Sequence, residues 1–391
     1  MTGFQEAMQR LTKVADEPYL YAADWKRAHK RKVIGTLPMS FPPDIVHAAG
    51  ALPVVLQESP SPITSGRGLL PEFYCGYTRS LADQADNGEL DVFDAFLCVD
   101  HCISLLGAYD GIRFTLPDRP APLIQFIASM DEAWSYPAVR ERIDQVRAQI
   151  EDYVGTTISP EGLSASTRAF NRNRQLLRQL YDLRRSGRAW IAPTDMQVLV
   201  KSSMVMDIEE HTEILTELMD GLAAQRDTGP KRVPVHISGH FCHAPKPELL
   251  DLIEECGAVV VDDDLYTGFR HVSTDVPEDG DPFDALVRWY FARNVTAPDA
   301  TRVQNDVDWD KFLLDSVEQS GAAGVIVLMA KFCEPHMLYY PELRKALDGS
   351  DVPNLLIETE HEGLPLEVIR TRVEAFVERI RRSAKPAVAS A

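Results

Sequence analysis

Eight short apolar runs, arranged as two blocks of four, constrain this chain more than any other feature of its sequence. The first block holds residues 33–38 (VIGTLP), 51–56 (ALPVVL), 94–99 (DAFLCV) and 122–127 (PLIQFI). The second holds residues 233–239 (VPVHISG), 258–263 (AVVVDD), 324–329 (GVIVLM) and 354–359 (NLLIET). Each run is rich in Val, Ile and Leu without polar alternation and is followed by a turn-like segment and a helical pattern. That is how parallel strands buried on both faces read. The expected fold class is therefore α/β, with two small doubly wound parallel-sheet domains joined by a helical segment.

The 391 residues exceed one ordinary core and suit two domains of roughly 150 residues with connecting helices. The expected division is a helical segment over 1–30, a first α/β domain over 31–130, a helical connection over 131–230 and a second α/β domain over 231–391. In the connection, Val139, Ile143, Val146, Ile150 and Val154 form one helical stripe, and Phe170, Leu177, Leu180 and Tyr181 form another. The second helix also carries Arg168, Arg172, Arg174, Arg178, Arg184 and Arg185. Such a run reads as a solvated or subunit-facing face, or else as a contact for nucleotide phosphates. A linker is expected at 223–232 (AAQRDTGPKR). The terminal stripe Leu366, Ile369, Val373, Phe376, Val377 and Ile380 predicts a last helix, with Pro365 suited to its first turn.

A formal net charge of −19 argues against a nucleic-acid or anionic-membrane partner, because both need clustered Lys and Arg. The first thirty residues lack the apolar core of a signal peptide, and no stretch of about 18 apolar residues is free of charge. A cytoplasmic location is expected. Six cysteines, at 75, 98, 102, 242, 256 and 333, are too scattered for a secreted disulfide framework and read as ligands, nucleophiles or buried apolar residues.

Ligands in open parallel sheets collect beyond the carboxyl ends of the strands. Cys102 follows the third run of the first block, Cys333 the third run of the second, and Cys242 the first run of the second. Cys75 lies in the excursion after 51–56. Four thiols from distant segments converging on one cleft suit a soft metal or an iron–sulfur cluster. Zinc on the Cys98/Cys102 pair, or plain burial of each thiol, stays open at this level. Cys98 lies inside a strand run and Cys256 ends a helix, both core-like positions. Asp262, Asp263 and Asp264 read as an acidic turn or helix cap at the cleft edge.

The segments KVIGTLPMSFPPDIVHAAGALPVVL, YCGYTRS, FLCVDHC, GHFCHAP, VVVDDDLYTGFR and GVIVLMAKFCEPH with NLLIETE together resemble the family of benzoyl-CoA reductase and 2-hydroxyacyl-CoA dehydratase iron–sulfur subunits, from about residue 30 to 382. The resemblance implies a [4Fe–4S] cluster on Cys75, Cys102 and Cys333, with one iron open or differently ligated. Cys242 is then a fourth ligand, a cleft residue or a structural thiol. Length and opening motifs look most like the smaller of the cluster-bearing subunits, the C subunit, of the ATP-dependent benzoyl-CoA reductases. That implies reduction of benzoyl-CoA to a cyclic dienoyl-CoA in anaerobic aromatic degradation. The implied partners are an acyl-CoA substrate, a second cluster-bearing subunit, ATPase activator-type subunits and a ferredoxin donor. The alternatives are a 2-hydroxyacyl-CoA dehydratase subunit and a non-catalytic electron-relay or scaffold subunit. No phosphate-binding glycine loop of the nucleotide or dinucleotide type is present, so ATP is expected to be used by the partners and not bound here. His101, His240, His243 and His336 stand beside the cysteine motifs, as proton donors or as hydrogen-bond partners of sulfur.

Overall fold

The computed structural model describes residues 3–39, 41–222 and 232–383. All eight apolar runs form strands: β1 (Val33–Thr36), β2 (Leu52–Val55), β3 (Ala95–Val99), β4 (Leu123–Ile124), β5 (Val233–Gly239), β6 (Ala258–Asp263), β7 (Val325–Ala330) and β8 (Asn354–Thr359). They build two four-stranded sheets of the same order, β2-β1-β3-β4 and β6-β5-β7-β8, with every pairing parallel. β1, β2, β3 and β7 are buried along their whole length, as strands covered by helices on both faces must be. The expected α/β architecture with two parallel-sheet domains is the one observed.

This order matters for function. In each sheet the chain steps to one side after the first strand and to the other after the third. The crevice where such connections diverge, at the carboxyl ends of β1 and β3 and again of β5 and β7, is where open α/β sheets bind ligands. The segments leaving β3, β5 and β7 carry Cys102, Cys242 and Cys333.

The connection forms the helices Ser135–Val154, Pro160–Arg185, Pro193–Ser203 and Ile208–Leu222. Val139, Ile143, Val146 and Ile150 are buried on the first, and Phe170, Leu177, Leu180 and Tyr181 on the second. Ser159 caps the second by accepting the amide of Gly162, with Pro160 in the first turn. The terminal helix Leu366–Ser383 buries its expected stripe from Ile369 to Ile380. The linker expected at 223–232 falls, except for its last residue, outside the described residues. Among the described residues no helix is long and apolar enough to cross a membrane.

One apolar cluster runs from Val33 and Phe96 of the first sheet through Leu176, Leu180 and Leu199 of the connecting helices to Val325 and Val327 of the second. The helix Pro282–Thr296, which lies between β6 and β7 in the chain, packs Phe283, Leu286 and Trp289 into the cluster around Ile34, Val139 and Ile143. Beyond it, Val303 donates its amide to the carbonyl of Ala128 and accepts that of Met130. The two halves are thus tied together by both apolar clusters and by this backbone bridge.

The arginine-rich helix departs from its sequence reading. Arg168 and Arg172 are exposed, but the other four turn inward onto carboxylates. Arg174 pairs with Asp44 at 2.9 Å, Arg178 with Asp275 at 2.6 Å, Arg184 with Asp263 at 3.5 Å and Arg185 with Asp262 at 2.8 Å. Those cations are consumed inside the fold and are not free for phosphate. The acidic run is likewise internal. Asp263 caps the short helix Phe269–Val272 by accepting the amide of Phe269, while Asp264 is fully buried against Arg270, Trp309 Nε1, Ser238 Oγ and the amide of Gly239. A carboxyl this deep is costly to bury without such donors.

Candidate functional site

Cys75, Cys102 and Cys333 share one structural role: each is the N-cap of a helix, Gly76–Asp86, Ile103–Thr115 and Glu334–Gly349 respectively. The first turn of a helix carries unpaired amides and the positive end of the helix dipole, so a sulfur placed there is favoured as thiolate. The backbone of Thr78, of Ser104 and Leu105, and of His336 acts on the respective sulfurs in that direction. Cys75 Sγ also lies 3.6 Å from Thr78 Oγ1.

Burial opposes this. It pushes the Cys102 thiol up to about 12, with the neighbouring Cys75 adding to the rise, and raises Cys333 for the same two reasons. Cys242 is raised by burial and then by Cys102, Cys333 and Cys75 in turn, so the four thiols lie in one electrostatic neighbourhood. Cys75 alone is lowered, because the nearby His243, with the help of Thr78, outweighs its burial. Cys98, inside β3, is raised to about 12 by burial alone and packs in the core. Cys256 ends the helix Pro247–Glu255 away from the cleft.

The turns that deliver these residues are backbone-strained. His240, just past β5, and Phe332, just past β7, are non-glycine residues at φ +44° and +64°. Residues of this kind in the left-handed region cost about 1–3 kcal/mol each and gather where a site demands them. Gly239, at φ +111°, could not be replaced without conflict: a Cβ would sit 2.2 Å from the Leu328 carbonyl oxygen and 2.7 Å from His336 Cε1.

A cleft of about 640 Å³ opens beside the thiols, lined by Glu58, Arg79, Lys201, His243, Lys246 and His361 among others. Among the described residues Arg79, Lys201 and Lys246 make no ion pair, although other surface cations of this acidic chain do. A second cavity of about 450 Å³ reaches Cys102 from another side, past His101, Thr301 and Glu334.

The four histidines are held differently. His243 Nδ1 meets Glu58 Oε2 at 3.1 Å, and the other oxygen of Glu58 lies 2.6 Å from His361 Nδ1, whose Nε2 donates to the Ser61 carbonyl. Burial would lower His243, but Glu58 and Cys75 raise it to about 10. His240 bonds Thr359 Oγ1 at 2.7 Å and is kept neutral by burial. His101 bonds Thr301 Oγ1 near the buried Asp299 and is lowered to about 3 by burial. His336 is wholly enclosed by Trp309, Phe241 and Tyr340 and lowered to about 4 by burial. Sequence reasoning overlooks Glu58 and His361. The strand-end criterion applied to the cysteines would have reached both, since they lie three residues past β2 and two past β8.

The donor set can be tested against the groups weighed for it. A single zinc ion bound at about 2.3 Å per thiolate needs its sulfurs within about 3.8 Å of one another. No cysteine among the described residues belongs to a group of three or more His, Cys, Asp or Glu ligand atoms within 4.8 Å. Thiols delivered by three separate helix N-termini into one electrostatic neighbourhood fit the donor set of a polynuclear cluster better than that of a single zinc ion.

Two parallel-sheet domains with a cleft lined from both halves of the chain define the class: an α/β protein whose site is built jointly by both sheets. The chain belongs to the 2-hydroxyglutaryl-CoA dehydratase D-component family, whose model matches residues 38–380. It is 26% identical to the (R)-phenyllactyl-CoA dehydratase beta subunit of Clostridium sporogenes, over 93% of this chain and 96% of that one. It is also 26% identical to the C subunit of benzoyl-CoA reductase from Thauera aromatica, over 94% and 95%. The (R)-2-hydroxyglutaryl-CoA dehydratase beta subunit of Acidaminococcus fermentans is 24% identical over 95% and 98%. The resemblance read from the cysteine motifs is the family found.

Proposed function

We propose that this chain is an iron–sulfur subunit of a multi-subunit enzyme acting on an acyl-CoA thioester, with Cys75, Cys102 and Cys333 as ligands of a [4Fe–4S] cluster. The observation that carries the reading is the shared placement of these three thiols at helix N-termini within one electrostatic neighbourhood. When bound, such a cluster supplies single electrons at a potential tuned by burial and hydrogen bonds to sulfur. The helix N-termini offset the negative charge of the thiolates. His243, held by Glu58 and placed beside Cys75, favours the thiolate there, as outer partners of metal ligands do. Cys242 lies among the other thiols as a fourth ligand or as a wall of the cleft. Arg79, Lys201 and Lys246 give the cleft cations for the phosphates of CoA.

Benzoyl-CoA is the substrate we infer, with reduction to a cyclic dienoyl-CoA, and the sequence likeness to the C subunit of a benzoyl-CoA reductase supports it. Dehydration of a 2-hydroxyacyl-CoA is supported at equal identity by a dehydratase beta subunit. We further propose that ATP is hydrolysed by activator-type partners, working with a second cluster-bearing subunit and a ferredoxin; the lack of a phosphate-binding glycine loop in this chain supports that reading. The test is anaerobic purification with the co-encoded subunits, followed by metal analysis and turnover assays. About four irons and four sulfides per chain and ATP-dependent loss of benzoyl-CoA are expected. Turnover of a 2-hydroxyacyl-CoA instead selects the dehydratase, and stoichiometric zinc without iron overturns the cluster.

A further inference from the structure

Outside the cleft, His47 on the short helix Asp44–Ala48 faces Asp207 and Glu209 at the start of the helix Ile208–Leu222. One ligand atom from each lies within 4.8 Å of the other two. The hydrogen bonds around His47 fix which of its nitrogens carries a proton. Ser166 Oγ lies 2.7 Å from the backbone carbonyl of Asp44, which can only accept, so the hydroxyl hydrogen points there. The same oxygen is 3.0 Å from His47 Nδ1 and must therefore accept from it. Nδ1 is the N–H, and Nε2 is directed at Glu209 Oε2, 3.1 Å away. In the neutral ring that nitrogen presents a lone pair to a carboxylate, and something positive has to lie between them, either a second proton on the ring or a metal ion.

We propose that His47 Nε2, Asp207 and Glu209 form a binding site for one divalent first-row transition ion of the Mn²⁺ type, which takes the place of that second proton. Metal-ligating histidines have their other ring N–H fixed by a hydrogen-bond acceptor, a part that the Ser166 hydroxyl plays here. One nitrogen and two carboxylates suit an ion of intermediate hardness, and the exposed side leaves room for water ligands. Asp207 is held in place beforehand: its Oδ1 accepts the amides of Glu209 and Glu210, and its Oδ2 accepts Trp25 Nε1 at 3.2 Å. Among the described residues His47 is the sole ion-pair partner of Glu209, and no lysine or arginine reaches Asp207. The ion would bridge segments 162 residues apart in the chain, stapling the first sheet's helix to the last connecting helix. The inference does not depend on what the cleft binds.

The probe is Mn²⁺, a poor competitor for thiolates, titrated into the full chain under anaerobic conditions and followed by EPR. Expected are one tightly bound Mn²⁺ per chain, electron spin-echo modulation from a single imidazole nitrogen, and a higher unfolding temperature in its presence. His47→Ala and Glu209→Gln should each weaken binding at least about tenfold and abolish the thermal shift. Glu213→Gln, an exposed change on the same helix, should alter neither. Unchanged affinity in His47→Ala, or bound Mn²⁺ without nitrogen modulation, overturns the site. Should His47→Ala fail to fold, the nitrogen modulation in the unmodified chain decides by itself.

Discussion

Arg174→Leu removes the guanidinium that holds Asp44, and the structure sets the scale of the loss. The pair is 2.9 Å apart with side chains 8% and 0% exposed. Asp44 Oδ2 has Arg174, whereas Oδ1 has no partner. Removing one member of a buried pair leaves an uncompensated charge and costs about 3–5 kcal/mol, a large share of the roughly 5–15 kcal/mol that holds a typical native state. The assay is urea unfolding followed by tryptophan fluorescence, with an unchanged slope required for the comparison. The pH dependence carries a sign. Burial raises the native pKa of Asp44 although Arg174 lowers it. A carboxyl raised on folding holds more protons in the native state, so its contribution is full below its unfolded value and is lost as pH rises through the native one. Without Arg174 the native value climbs further. The variant's deficit should therefore be smaller at about pH 5 than at about pH 7, and Asp44→Asn in the same background should recover most of it and remove the pH dependence. A deficit below about 1 kcal/mol, or one that grows toward acid, would refute the reasoning.

Further outcomes concern the cleft. Cys75→Ser, Cys102→Ser and Cys333→Ser should each lose bound iron, while Cys98→Ser and Cys256→Ser keep it; metal analysis of the five variants checks this, and full iron in any of the first three removes that residue from the ligand set. Gly239→Ala should destabilise the chain by at least about 1–3 kcal/mol, from its positive φ together with the approach to Leu328 and His336, and unchanged urea unfolding would contradict that. Trp309→Phe deletes the Nε1 donor 2.5 Å from Asp264 and should cost about 1.5–3 kcal/mol in the same assay. The purified chain alone should hydrolyse no ATP in a phosphate-release assay, turnover appearing only with its partner subunits.

Much of the site is legible in the sequence because its residues follow apolar runs directly. Cys102 lies three residues past β3 and Cys333 three past β7, so recognising a strand is enough to put the thiol at the carboxyl edge. Cys98 and Cys256 can be set aside on the same local grounds. The arginine helix misleads because its spacing is that of an amphipathic surface. Nothing local reveals that Asp44, Asp262, Asp263 and Asp275 come to meet it from segments about 77 to 130 residues away. Glu58 and His361 stand just past strands and are within reach of the same criterion, but their pairing, 303 residues apart in the chain, appears only when β2 and β8 bring them together.

By itself the sequence determined the strands, the connecting and terminal helices and which thiols stand at strand ends, since hydrophobic period and strand-end position are local properties of the chain. Strand order, the inward turn of the arginines, the packing of the helix Pro282–Thr296 against the first sheet and the Glu58 bridge between His243 and His361 were decided only by the tertiary structure. Each of these depends on which distant surfaces exclude water from one another, and that is a property of the assembled fold rather than of any stretch of residues.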